Sequence, residues 1–220
     1  MEHLKTSSNQ SLNHEYTLCV FGEGAVGKTS LTTQFVEGVF TSKYHTTIED
    51  VFKKTIEVDG KRFILEIVDT AGTENFTAMR DLNIQHSQGF AIVYSITSQA
   101  TFDHLHYIYN QIMNIKKEQP AMVLVGNKID LSGMKRAVHR EKGQALADEW
   151  KCSFYETSAK DSINVHEIFI DLIRQIDRRT SCTRKTSIFE DIPLLTNSLI
   201  ENIFCCLIVP RKKKAKEIMK

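Results

Sequence analysis

No apolar run opens the chain. Its first sixteen residues, "MEHLKTSSNQSLNHEY", are polar throughout, so no signal peptide is expected. The second residue is Glu2, not the glycine that N-myristoylation requires. Cysteine is sparse and unpaired in pattern. Cys19, Cys152, Cys182, Cys205 and Cys206 make an odd number with no zinc-ligand spacing, so neither a disulfide framework nor a zinc site is expected. A reducing, intracellular setting fits better. The apolar stretch 194–209, "LLTNSLIENIFCCLIV", is too short and too polar at Asn197, Glu201 and Asn202 to span a membrane. The chain ends "EIMK", with no cysteine four from the end, so prenylation is not expected. There is no internal repeat.

Net charge is also nearly absent, at +1, but the balance is uneven. The last ten residues, "RKKKAKEIMK", hold six bases and one acid, which leaves the preceding 210 residues at −4. A mildly acidic body argues against nucleic-acid binding. A basic tail points to an anionic surface. A chain of 220 residues with 41% hydrophobic composition suits one α/β domain with tails and can bury a core of its own.

What is there is a sequence of short apolar runs that alternate with helical patterns. "YTLCVF" (16–21) runs straight into a glycine-rich stretch, as a buried strand entering a loop does. "LTTQFVEGVF" has helical spacing at Leu31, Phe35 and Val39. "TIEVDGKRFILEIVD" predicts a β-hairpin around Asp59-Gly60. "GFAIVYSI" (89–96) and "AMVLVGNK" (121–128) are further strands, and "SFYETSAK" is a short strand with its loop. Between them, "TFDHLHYIYNQIMNIKKE" sets Phe102, Leu105, Ile108, Ile112 and Ile115 along one helical side. "REKGQALADEWK" and "NVHEIFIDLIRQIDRR" read as helices. The alternation predicts a mostly parallel sheet, covered on both faces, with one antiparallel edge.

Three strand ends carry the chemistry. "GEGAVGKT" (Gly22, Glu23, Gly24, Ala25, Val26, Gly27, Lys28, Thr29), followed by Ser30, matches G-x-x-x-x-G-K-[ST] between a strand and a helix. Its backbone N–H groups and the positive helix end would cradle phosphates. Lys28 would reach the β- and γ-phosphates, and the Thr29 hydroxyl would ligate Mg²⁺. "DTAG" ends a second strand: Asp69 would hold Mg²⁺, and Gly72 would bring a backbone N–H to the γ-phosphate without a side chain in the way. "NKID" ends a third. Guanine presents two adjacent donors, which the Asp130 carboxylate would accept. Asn127 would meet N7, and the stem of Lys128 would cover the base face. In "ETSAK" (156–160), with Ser158, Ala159 and Lys160, the Ala159 N–H would donate to guanine O6. Alone, "DTAG" and "NKID" are ordinary strand-to-turn sequence, whereas "GEGAVGKT" between a strand and a helix is already specific. Their order and spacing make coincidence a poor explanation.

The order of P-loop, "TTIED", "DTAG", "NKID" and "ETSAK" resembles a Ras-superfamily small GTPase over residues 16–178. Within that superfamily "DTAGTENFTAMRDL" and "GFAIVYSITSQATFDHL" are most similar to the Rap subfamily, as is Lys43 before Tyr44. The resemblance implies a P-loop G domain with a six-stranded sheet, and GTP/GDP and Mg²⁺ as ligands. It implies that Phe40 packs edge-on against the guanine and that Tyr44 closes over the phosphates. Thr47 would join the metal and contact the γ-phosphate. Ile48, Glu49 and Asp50 would form the core of the effector edge. Exchange factors, GTPase-activating proteins and effectors are the implied partners, of a monomer. Thr46, Val51 and Phe52 depart from the usual Pro, Ser and Tyr, which bears on effector choice and not on the nucleotide.

Thr73 stands where Ras proteins carry the glutamine that orients the attacking water. The catalytic set implied is Thr73, Gly72 and Lys28. Hydrolysis is expected to be slow until a Rap-type activating protein supplies the missing carboxamide. Two other readings stay open: a GTP-binding interaction module that hydrolyses nothing, and a P-loop nucleotide kinase, which "NKID" and the lack of an arginine-rich lid disfavour.

The expected organisation is a disordered extension (1–15), the G domain (16–179), and a linker with an amphipathic, polybasic tail (180–220). In the tail Leu195, Leu199, Ile203 and Cys206/Leu207 share one helical side just before "PRKKKAK". That combination predicts peripheral attachment to the cytosolic face of a membrane, with a helix packed on the domain as the alternative. Cys205 and Cys206 are candidates for palmitoylation. Ser181 and Ser187 follow paired bases and are candidates for phosphorylation. "EDIPLL" resembles an acidic dileucine sorting signal.

Overall fold

The computed structural model describes residues 14–43, 45–72 and 77–190. Tyr44, Thr73 and the tail residues 191–220 lie outside the described residues. Six strands form one sheet in the order β2-β3-β1-β4-β5-β6. They are β1 (His14–Phe21), β2 (Glu49–Val58), β3 (Lys61–Thr70), β4 (Gly89–Ser95), β5 (Ala121–Asn127) and β6 (Ser153–Thr157). Only the β2–β3 pair is antiparallel; every other pairing is parallel. The helices are α1 (Lys28–Glu37), α2 (Thr77–His86), α3 (Gln99–Asp103), α4 (Leu105–Lys116), α5 (Ser132–Lys135), α6 (Arg140–Trp150) and α7 (Val165–Glu190). The predicted doubly covered sheet with one antiparallel edge strand is what the chain forms.

Alternation along the central strands divides the core in two. In β4, Ala91 and Val93 join the cluster built with Leu31, Phe35, Phe169 and Leu172 of α1 and α7. Phe90, Ile92 and Tyr94 join the opposite cluster, with Leu105, Ile112, Leu146 and Trp150 of α4 and α6. β5 splits the same way, Val123 and Val125 against Met122 and Leu124. A strand buried on both faces must be apolar at every position, which is why these two read as continuous runs. Phe35 stacks on Phe169 with ring centroids 4.1 Å apart.

Several expected boundaries move. β1 starts at His14, not Tyr16, because the His14 ring packs on Phe63, centroids 5.5 Å apart, and the backbone pairing reaches that far. Residues 14 and 15 therefore belong to the sheet and not to an extension. The apolar stripe of α1 ends at Phe35. Gly38 takes a left-handed conformation (φ 71°), its N–H bonds the Gln34 carbonyl at 3.0 Å, and Val39 is left 51% exposed. The pattern over 101–118 is two helices broken at His104, although Leu105, Ile108 and Ile112 are buried as expected. α7 continues past Arg179 to Glu190, since no proline or glycine interrupts it before Pro193. The chain divides after Arg179 into two units.

Parallel pairing sets the carboxyl ends of β3, β1, β4, β5 and β6 along one margin of the sheet. The strand order reverses between β1 and β4, so the loop after β1 opens at the switch point where such sheets bind ligands.

Candidate functional site

The loop Gly22–Gly27 is shaped by what surrounds it. A Cβ on Gly22 would lie 2.2 Å from the Val93 carbonyl oxygen of β4. Gly27 has φ 98°, and a Cβ there would sit 2.4 Å from Asn127 Nδ2. Both positions need glycine to let the loop turn this close to the sheet. Gly27 is the N-cap of α1 and offers no side-chain cap to the first-turn N–H groups. Those N–H groups are the donors an anion takes at a helix start.

Lys28 is buried, and its Nζ donates to the carbonyls of Gly22 at 3.0 Å and Glu23 at 2.9 Å. Burial lowers its pKa to about 8; the nearby Asp69 carboxylate opposes that shift. A dehydrated ammonium held against neutral carbonyls fits a phosphate, whose charge would favour its protonated form.

Asp69 is fully buried at the end of β3. Its Oδ2 accepts a short hydrogen bond from Thr29 Oγ1, and Thr29 Oγ1 lies 2.9 Å from Thr47 Oγ1. Its Oδ1 is buried without a hydrogen-bond partner. Burial raises the carboxyl pKa to about 6, against the Thr29 hydrogen bond and the Lys28 charge. An orphan carboxylate oxygen beside two hydroxyls is an oxygen donor set of the kind a hard divalent cation takes. The three residues expected at the metal, Thr29, Thr47 and Asp69, are thus brought together. Gly72 is in backbone contact with the loop: a Cβ there would stand 2.3 Å from Gly24 N.

At the far end, Asp130 and Ser158 meet. Ser158 Oγ donates to Asp130 Oδ1 at 3.0 Å and itself accepts the Asp161 N–H at 3.0 Å. Ser158 thereby orients the carboxylate and leaves its other oxygen for a ligand. Asn127 does more than the sequence suggested. Its Nδ2 donates to the Val26 carbonyl at 2.9 Å, and its Oδ1 accepts from Thr157 Oγ1 at 3.1 Å and the Ala159 N–H at 3.4 Å. It braces the phosphate loop against the loop after β6. Lys128, in a left-handed conformation (φ 74°), lays its stem back over the loop and donates to the Ala25 carbonyl at 2.6 Å. Phe40 is 38% exposed beyond α1, Ser30 is half-buried in its first turn, and Lys160 is exposed.

Sequence reasoning missed Thr157 and the Arg136–Glu156 pair. Arg136 grips both Glu156 oxygens, at 2.6 and 3.1 Å, and fixes the strand that delivers Ser158. The acid of "ETSAK" was visible, but its partner lies twenty residues away, with no motif to mark it.

A phosphate loop, an oxygen donor set at the next strand end and a held carboxylate beyond it define a P-loop domain for a purine nucleotide with two adjacent donors. A sequence model of the Ras family matches residues 17–178, and the chain belongs to that family. Ras-family domains are small GTPases. They bind guanine nucleotides with Mg²⁺, hydrolyse GTP and act as signalling switches, served in general by exchange factors, activating proteins and effectors. No helix among the described residues is long and apolar enough to cross a membrane.

Proposed function

We propose that the chain is a Rap-like switch that holds GTP long and hydrolyses it slowly until an activating protein completes the site. The observation that carries the reading is the buried, unpartnered Asp69 Oδ1 beside Thr29 and Thr47, with Lys28 next to Thr29 at the start of α1. Lys28 and the first turn of α1 bind the terminal phosphates. Thr29, Thr47 and Asp69 would hold Mg²⁺, which would supply charge neutralisation at those phosphates. Gly72 reports the γ-phosphate by its backbone N–H. Asp130 selects guanine, Phe40, Lys128, Ala159 and Lys160 enclose the base and sugar side, and Tyr44 closes over the phosphates. Thr73 is shorter than the glutamine it replaces and positions water poorly. Thr73→Gln is therefore expected to raise intrinsic single-turnover GTP hydrolysis by about three- to tenfold, a small part of what a positioned proton-transfer group supplies. An unchanged rate would mean that residue 73 is not limiting.

Ile48, 69% exposed, with Glu49 and Asp50 forms the effector edge at the start of β2. The tail carries the domain to anionic membranes: each Lys or Arg near such a surface contributes about 1 kcal/mol. In liposome co-sedimentation, changing Lys212, Lys213 and Lys214 to Gln should move much of the bound protein to the supernatant, and raised salt should do the same to the unaltered chain. Ser181→Glu with Ser187→Glu should weaken binding in the same direction. Sedimentation indifferent to all of these would remove the electrostatic reading.

A further inference from the structure

The phosphate loop contains an acid where it must receive an anion. Glu23 follows the first glycine, and its backbone carbonyl accepts from Lys28 Nζ at 2.9 Å. A carboxylate so near the phosphate seat opposes the ligand unless it is turned aside. His104 turns it aside. It sits in the break between α3 and α4, where it ends one helix and starts the next. Its N–H bonds the Ala100 carbonyl at 3.1 Å, and its own carbonyl accepts from Tyr107 N–H at 3.1 Å. The ring packs against Tyr107, centroids 5.0 Å apart. Its Nδ1 lies 3.6 Å from Glu23 Oε1, and both side chains are two-thirds or more covered. The helix break thus serves to place an imidazole against a loop carboxylate.

We propose that His104 is a positioning residue for the phosphate loop: it holds the Glu23 carboxylate toward the α3–α4 junction and away from the phosphate seat, so that the loop keeps its affinity for the nucleotide. The proposal rests on the reading that this loop holds GDP and GTP. Repulsion from the freed carboxylate weakens both nucleotides, because Glu23 belongs to the loop and not to the groups that sense the γ-phosphate.

The test is the dissociation rate of a fluorescent GDP analogue from the full chain in excess Mg²⁺. His104→Ala and His104→Asn should both release it about three- to fivefold faster, the scale of a partly covered ion pair. His104→Lys should stay near the unaltered rate, because the ammonium gives the Glu23 carboxylate a partner on the same side. Glu23→Ala in the His104→Ala background should bring the rate back toward the starting value. Salt should narrow the difference. Rapid release from His104→Ala that Glu23→Ala does not reverse would make His104 a packing residue and overturn the proposal. So would an Asn variant that behaves like the unaltered chain. Failure of the unaltered chain to retain the analogue would instead strike at the nucleotide-binding reading itself.

Discussion

Asp130→Asn should lower GDP and GTP affinity by two to four orders of magnitude. On the proposed reading the carboxylate accepts from two adjacent donors of guanine, and each charge-assisted hydrogen bond contributes about 1.5–3 kcal/mol. Asn keeps the volume and retains an oxygen for the Ser158 hydroxyl, which lies 3.0 Å from Oδ1, so the loop should stay in place. What is lost is the second acceptor. An amide donates where the carboxylate accepted, and the 2-oxo group of xanthine accepts there. Xanthine nucleotides should therefore bind the variant better than guanine nucleotides do. Isothermal titration with GDP, XDP and ADP measures all three. An unaltered preference for GDP would place base recognition elsewhere.

Gly72→Ala should lower GTP hydrolysis by about a hundredfold, the usual result of displacing a reacting group by about an ångström. The added methyl would stand 2.3 Å from Gly24 N, 2.4 Å from Gly24 Cα and 2.7 Å from Glu23 C. All three are backbone atoms, so no flexible side chain can yield. The phosphate loop and the end of "DTAG" must separate, and the backbone N–H at residue 72 is carried away from the γ-phosphate. Single-turnover hydrolysis reports the loss. A rate within twofold of the unaltered chain would show that this close approach is not needed for the reaction.

Both positions were visible in the sequence, and for a physical reason. Motif residues at strand ends are fixed by local chemistry: a turn that needs glycine, a carboxylate that faces two donors, a lysine that follows the loop. The central strands were equally legible, because burial on both faces demands apolar residues at every position of β4 and β5. α2 was not. Of its ten residues Ile84 is buried, while Met79 is 42% and Leu82 54% exposed, so the segment has no stripe to read. The break at His104 was hidden too, since Leu105, Ile108 and Ile112 keep their spacing on its far side. Asn127 was legible as a candidate site residue but not as a brace, because Val26 and Thr157 come from other parts of the chain. Long-range partners of this kind leave no periodicity. Sequence alone names one end of each bond.

That limit also explains Glu49. It was read as an effector residue, yet its carboxylate accepts from Asn83 Nδ2 of α2 at 2.6 Å. This bond joins the start of β2 to α2.

Hydrogen exchange of the unaltered chain, loaded with GDP and then with a non-hydrolysable GTP analogue, tests most directly whether the domain is a switch. Amides in residues 45–51 and 77–86 should exchange more slowly with the GTP analogue, where Thr47 and Gly72 engage the terminal phosphate. Amides of β5, buried in the sheet centre, should not distinguish the two. Identical exchange in both nucleotide states across those segments would contradict the account.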